Sequence, residues 1–542
     1  MIEPMQTAGA YGPSGRALET YKHGKAWDLM NQAKQYPAYD PKTCPDGFIN
    51  LSGALNILMR DWLKDYCDQN MKNIQISQCE SLLNIRAVSL FRFLFYGSLA
   101  HTTDATKVLS YGSISGGPQL QSAMTAFFNH FFHPSSPVEP AQIVATNGVT
   151  SMIDLVAWTL CDPGDAVLYL APTFYMLDYD LASRNGIVGV PVSTTMLDNP
   201  FGGDDEDIRK LVEELQKSAN STAEKGFPPR ILFLCNPANP QGRCYSAKAL
   251  EALARFCARR RMHLVVDEIY ALSHFGDEPF SSVQAIEDDE EAGVDVKQMV
   301  HGIYGLSKDF DMGGVRMGFL ISRNTAFVDA IKRVTWFTWI TAFSEAFVTN
   351  FFSQLNLVQE YVSIYQSRLG EAYSRTHEAL VKNDIPFQPA TSGLFVVVDL
   401  SLWIRYFDGP DKADNPAETR EVQLCNWLLE GGVFLNPGQF AFSDKPGQFR
   451  LVFTEVPIET VVLAVERIRL SLDKLQNGSL LKNMRQFENE SDQVKLDDQT
   501  TLCVSERVRD ENVDHKKTIQ LEGGEKGMSR FRLVWQKLNC VQ

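Results

Sequence analysis

Among the ten cysteines there is no CxxC pair, nowhere a long apolar run, and no excess of basic residues. Each absence excludes something. Cysteines scattered in this way build neither a disulfide framework nor a zinc site, so free thiols in a reducing compartment and no bound metal are expected. Without some 18 or more consecutive apolar residues, no membrane-spanning helix is expected. The opening "MIEPMQTAGAYGPSG" lacks the basic head and apolar stretch of a secretory signal. A net charge of −15 argues against nucleic acid or an anionic membrane as partner. A soluble, cytoplasmic protein is the expectation.

What is present is an ordinary globular balance. The chain has 542 residues, 44% hydrophobic and 22% charged, enough for more than one domain and a large core. From about Pro137 to Phe319, short β-rich runs alternate with helical ones. "QIVATNG" reads as a strand entering a turn, "SMIDLVAWTL" as a helix stopped by "CDPGD", and "AVLYLAP", "RILFLCNPANP" and "HLVVDE" as further strands. Ser246 is placed to cap a helix whose Leu250, Leu253 and Cys257 share a face. Such alternation implies a mostly parallel sheet covered by helices, with ligands beyond the carboxyl ends of its strands. After about Ala342 a long helical stretch to Asn383 leads to "SGLFVVVDL" and "QFRLVFTEV", a second α/β unit. The expected division is an arm at 1–23, a segment at 24–84 packing with the smaller domain, a large domain at 85–345, a small domain at 346–475, and a polar, mobile extension at 476–542. "SRFRLVWQKL" in that extension reads either as a short amphipathic docking helix or as a disordered end. The acidic runs "DDED" (204–207) and "EDDEE" (287–291) read as solvated loops.

The polar residues after each strand carry the chemistry. "QIVAT" is followed by Asn147-Gly148-Val149-Thr150-Ser151, "ILFLC" by Asn236-Pro237-Ala238-Asn239-Pro240-Gln241-Gly242, "HLVV" by Asp267-Glu268-Ile269-Tyr270, and "HGIYGL" by Ser307 and Lys308 with Arg316 behind. A lysine at a strand end forms a Schiff base when its surroundings favour the neutral amine. An aldehyde that also carries a phosphate needs a helix N-terminus, which Gly148 to Ser151 offer, and a fixed cation, which Arg316 offers. A pyridine ring needs a carboxylate on its nitrogen, and Asp267 is a candidate. Asn239 and Tyr270 are candidate donors to a ring oxygen. Singly, each has a plainer reading as a turn, a cap or a solvated side chain. Together, in this order, they form a constellation.

The chain resembles the fold-type I, pyridoxal-phosphate-dependent enzymes of the class I/II aminotransferase group. "NPANPQG", "DEIY", "SKDFDMGGVRMG" and "FRLVF" carry the resemblance, which runs from about residue 24 to 475. It implies an α/β fold with a large PLP-binding domain and a smaller α/β domain, pyridoxal 5′-phosphate as cofactor, a small-molecule amino-acid substrate bound through an aldimine, and a homodimer. Lys308, Asp267 and Tyr270 are then catalytic. Asn239 and Tyr270 contact the ring oxygen, and Val149, Thr150, Ser307 and Arg316 hold the phosphate. Phe174 stacks on the ring, with Tyr175 the runner-up. Tyr111 resembles the tyrosine that reaches the partner subunit's phosphate, and Arg450 the arginine that grips the substrate α-carboxylate.

Within that group the chain is most similar to 1-aminocyclopropane-1-carboxylate synthases, through "YPAYDPKTCPDGFINLSGALN" and "DPGDAVLYLAPTFYMLDYDLASRNGIVGVPV". The implied activity is α,γ-elimination or γ-replacement on S-adenosylmethionine or a related substrate. The alternatives are an aminotransferase, a C–S lyase or a non-catalytic binding protein. One departure stands out. The synthases' Gly-Leu-Ala-Glu-Asn motif is here Ser52-Gly53-Ala54-Leu55-Asn56, so the substrate loop of Ala54 and Leu55 lacks the acid that faces a sulfonium. Leucine offers apolar surface instead, which suits a neutral side chain.

Overall fold

A computed structural model describes residues 25–72, 111–287, 295–413 and 415–494. The expected N-terminal arm, the "SRFRLVWQKL" segment and most of the second acidic run lie outside the described residues.

The first strand, β1 (Ile49–Asn50), precedes the seven that build the main sheet. These are β2 (Ile143–Thr146), β3 (Ala166–Ala171), β4 (Val188–Ser193), β5 (Pro229–Cys235), β6 (His263–Asp267), β7 (Val300–Gly305) and β8 (Gly318–Ser322), in the order β2-β8-β7-β6-β5-β3-β4. The pairs β3–β4, β3–β5, β5–β6 and β6–β7 are parallel, and β8 runs antiparallel to both neighbours. Strand alternation explains the layering. Leu168, Leu170, Leu232, Leu234, Leu264 and Val266 turn to a core shared with helices Asp205–Glu224 and Ala247–Arg259. Val167, Tyr169, Ile231, Phe233 and Val265 turn the other way, toward helix Val149–Leu160. With both faces covered, the strands read as continuous apolar runs. Ser246 caps its helix as expected, its side chain accepting from the Ala249 N–H.

The second sheet contains β9 (Phe387–Gln388), β10 (Phe395–Asp399), β12 (Asn436–Pro437) and β13 (Gln448–Val452), antiparallel in the order β12-β13-β10-β9. β11 (Val433–Phe434) pairs in parallel with β1 and brings the early segment beside β13, where the Val452 N–H donates to the Leu51 carbonyl. The stretch after Ala342 is two helices, Ala342–Phe352 and Leu355–Lys382.

One expectation is corrected. The acidic run at 204–207 is a helix start rather than a loop. Asp204 is the N-cap, accepting from the Glu206 N–H, and the next three acids fill the first turn, where the helix dipole favours negative charge. The helix Ile458–Val494 continues past Gln476, where the extension was expected to begin. The chain divides into two compact units, one ending at Gln476 and the other beginning at Asn477.

Candidate active site

Three strand ends converge. β5 delivers Asn239, β6 ends at Asp267, and Lys308 follows β7. The Asn236 N–H donates to the Asp267 carbonyl at 2.9 Å and the Glu268 N–H to the Ile303 carbonyl at 2.8 Å, so the parallel ladder continues into the turns that carry the polar residues.

Lys308 is partly buried, and its Nζ donates to the Ala54 carbonyl at 2.9 Å. Its own carbonyl accepts from Asn56 Nδ2 at 2.9 Å. Burial, reinforced by the charge of Arg450, lowers its ammonium to about 8. The residue after it, Asp309, is fully buried. Its carboxylate accepts from the Leu272 N–H (3.1 Å), Ser273 Oγ (2.5 Å) and Tyr304 Oη (3.0 Å), which fixes the backbone that carries the lysine.

Asp267 is 6% exposed, its Oδ1 accepting from the Ile269 N–H at 3.2 Å. Burial pushes its carboxyl up to about 7, against the Ile269 N–H and the charge of Lys308, which both lower it. Tyr270 is buried edge-on to Phe395. Asn239 Oδ1 accepts from Arg450 Nη1 at 3.0 Å, which leaves the Asn239 amide nitrogen as a donor.

Arg450 lies in the middle of β13 and is buried between two rings, its Cζ 5.3 Å from the centroid of Tyr175 and 5.5 Å from that of Phe395. Nη2 donates to the Ser52 carbonyl, and Nε is buried with no hydrogen-bond partner. A cavity of about 320 Å³ opens here, lined by Tyr175, Asn239, Gln241, Asn436 and Arg450 among others.

Val149 and Thr150 open the helix Val149–Leu160, whose N-cap, Gly148, makes no side-chain cap. Gly148 sits at φ +122, and a Cβ there would come within 2.5 Å of Arg316 Nη2. Arg316 is exposed, and Nη1 donates to the Gly313 carbonyl at 3.0 Å. Ser307 lies beside Gly313. Open amides at a helix N-terminus under a guanidinium form an anion site. With a buried carboxyl at Asp267 and a lysine of lowered basicity at Lys308, the residues fit pyridoxal phosphate.

The remaining expected residues separate. Phe174 packs against the core around the helix Val149–Leu160, whereas Tyr175 lies on Arg450, the two rings 5.2 Å apart. Tyr111 is 93% exposed and stacks on Trp339 at 5.5 Å. Ala54 adopts φ +49 and presents its carbonyl to Lys308. Leu55 is 44% exposed, its carbonyl accepting from Thr454 Oγ1 at 2.6 Å.

One charged group here escaped the sequence reading. Glu455, just beyond β13, accepts from the Gly53 N–H (2.6 Å, Oε2) and from Asn50 Nδ2 (2.7 Å, Oε1). Its signal was an acid near the end of the apolar run "QFRLVFTEV".

Comparison with known proteins agrees with this geometry. The profile of the family described as Aminotransferase class I and II matches residues 98–468. A 1-aminocyclopropane-1-carboxylate synthase of Oryza sativa subsp. japonica is 31% identical over 472 residues, 84% of this chain and 89% of the relative. An Arabidopsis thaliana protein named "Probable aminotransferase ACS12" is 26% identical over 432 residues, covering 80% of this chain and 79% of that one. Among solved structures, an archaeal alanine:glyoxylate aminotransferase superposes with a TM-score of 0.65 at 19% identity, over 85% of this chain and 98% of that one. The aspartate aminotransferase of Thermus thermophilus gives 0.59 at 19% identity, over 85% and 97%.

Proposed function

The chain belongs to the aminotransferase class I and II family, and from that premise we propose that it performs α,γ-elimination or γ-replacement on an α-amino acid, S-adenosylmethionine or a related compound. It is an enzyme of that family, and its cofactor is pyridoxal 5′-phosphate. One observation supports the reading above others. Lys308 and Arg450 hold the same loop, at the Ala54 and Ser52 carbonyls, so a proton-moving amine and a carboxylate-binding cation flank one small space.

The residues divide the work as follows. Bound pyridoxal phosphate supplies an electron sink for negative charge at the substrate Cα. Arg450, held flat between Tyr175 and Phe395, receives the substrate α-carboxylate. Lys308 Nζ, with its basicity lowered to about 8, takes the Cα proton and returns it at or near neutral pH. Asp267 holds a proton on the ring nitrogen. Asn239 Nδ2 and the Tyr270 hydroxyl donate to the ring oxygen. Val149, Thr150, Ser307 and Arg316 bind the phosphate, and Phe174 covers the ring. Ala54 and Leu55 border the substrate.

We propose a homodimer as well. Tyr111 (93% exposed), Phe337 (85%) and Trp336 (59%) leave aromatic surface in water around Trp339, and a second copy would cover it. No helix among the described residues is long and apolar enough to cross a membrane. A cytoplasmic location is the reading consistent with the free cysteines found among the described residues.

Amino transfer, which the name of the Arabidopsis relative supports, or C–S cleavage is the second reading. Products separate the two. Incubation with S-adenosylmethionine should yield methylthioadenosine and either the cyclopropane amino acid or a γ-substituted product. A 2-oxo acid formed only in step with amination of an added oxo-acid acceptor would replace this proposal with amino transfer.

A further inference from the structure

Three consecutive residues of one loop are each held by a different charged group. Arg450 Nη2 donates to the Ser52 carbonyl, the Gly53 N–H donates to Glu455 Oε2, and Lys308 Nζ donates to the Ala54 carbonyl. The two chain segments run together beyond that. Thr454 Oγ1 donates to the Leu55 carbonyl, and the Ile57 N–H to the Thr454 carbonyl at 3.0 Å. The pairing is close enough that a Cβ at Gly53 would come within 2.6 Å of Glu455 Oε1. Glu455 is therefore packed against the loop that Lys308 and Arg450 hold.

Its charge acts on the groups already described. Glu455 opposes the lowering of Lys308 more strongly than Asp267 does, and it raises Tyr175. In return, Arg450 and Lys308 lower Glu455, although burial dominates and pushes its carboxyl up to about 7. Among the described residues the two oxygens accept one hydrogen bond each, from Gly53 and Asn50, where a carboxylate has about four acceptor sites.

Charge balance gives this acid a function. When a substrate carboxylate occupies Arg450, the guanidinium is neutralised by the substrate and no longer answers Glu455. Lys308 is then the cation left to answer this partly buried carboxylate, so the complex is more stable when the substrate brings a further positive charge. We propose that Glu455 is the specificity-determining acid of this site, selecting α-amino acids whose side chains carry a sulfonium or another cation. The inference rests on the amino-acid reading of the site. It also replaces the expectation drawn from Leu55: the loop lacks an acid of its own, and the carboxylate reaches it from the segment after β13.

The test compares two amino acids of the same shape and different charge. S-methyl-L-methionine carries a dimethylsulfonium where L-2-amino-5-methylhexanoate carries a neutral isopropyl group. Dissociation constants for the holoenzyme are measured by calorimetry, with cofactor absorbance followed in parallel. The wild type should prefer the cation by about tenfold or more, as expected for opposite charges at partial exposure. Glu455→Gln should abolish that preference, and Glu455→Asp should retain part of it. A merely structural clamp on Gly53 would weaken both ligands together and leave their ratio intact. Equal affinities in the wild type, or an unchanged ratio in Glu455→Gln, would overturn the role of Glu455 while leaving the proposed function standing. If the Gln variant fails to fold, the Glu455→Asp ratio decides the matter, an undiminished preference overturning the role of Glu455. Loss of response to every amino acid by wild-type holoenzyme would overturn the proposed function and this inference together.

Discussion

Lys308 Nζ donates to the Ala54 carbonyl at 2.9 Å, across 254 positions of sequence. The bond joins the end of β7 to a loop that follows β1 and is tied to the second sheet where the Val452 N–H donates to the Leu51 carbonyl. The amine is held where burial disfavours its charge. Borohydride reduction of the purified protein should fix the cofactor on Lys308, as peptide mapping would show. A phosphopyridoxyl group on another lysine, or on none, would remove Lys308 from the role.

Asp267 should matter to turnover more than to cofactor retention. A carboxylate beside the ring nitrogen favours charge that develops after Cα deprotonation. Asp267→Asn is expected to keep absorbing cofactor yet lose turnover by about a hundredfold or more. Near-normal turnover would exclude it.

Gly148 tests the phosphate cradle. Its φ of +122 and the 2.5 Å approach of a hypothetical Cβ to Arg316 Nη2 leave no room for a side chain. Gly148→Ala should cost about 1–3 kcal/mol in backbone strain and weaken cofactor binding by displacing the guanidinium. Gly314→Ala, with nothing within 4 Å, is the control and should bind cofactor normally. Equal cofactor affinities in the two variants would refute the cradle.

Tyr111 should act across a subunit boundary. Mixing Lys308→Ala with Tyr111→Ala protein should restore part of the lost activity, because one hybrid site would be intact. No recovery despite proven subunit exchange would confine Tyr111 to its own chain.

Cofactor-free protein should lose stability as pH rises from about 5 to 8. Burial raises Asp180, Asp267, Asp309, Glu421 and Glu455 to about 7 and Glu268 to about 8. Each then binds its proton more tightly folded than unfolded, so its contribution is fully present below the unfolded value and is lost as pH climbs through the folded one. His263, lowered to about 4 by burial, and His274 and His301, also lowered by burial, work in the opposite direction below their unfolded values, and three imidazoles oppose these six carboxyls. Thermal denaturation at pH 5.5 and 8 checks the sign. A higher midpoint at pH 8 would contradict it.

The features that sequence determined are those set by local chemistry. Alternating apolar runs announced the strands of the main sheet, and polar residues after them marked where Asn239, Asp267 and Lys308 would cluster. A parallel sheet places all its strand ends on one edge, so residues far apart in the chain meet once that topology is inferred. The acids at 204–207 were visible, but whether a polar run becomes a loop or a helix start depends on the packing that follows, here the apolar face of Leu211 and Leu215. Tertiary structure alone decided what surrounds Arg450. Tyr175 and Phe395 flank it from segments more than fifty residues away, and no periodicity relates them. It also decided which charged group meets the loop of Gly53, Ala54 and Leu55. Leu55 suggested a neutral site because the local motif lacked an acid, yet Glu455 lies 402 positions from Gly53 and bonds its N–H at 2.6 Å. Electrostatic environment depends on distance through space, and the pairing of β1 with β11 and the return of β13 bring that carboxylate to the loop.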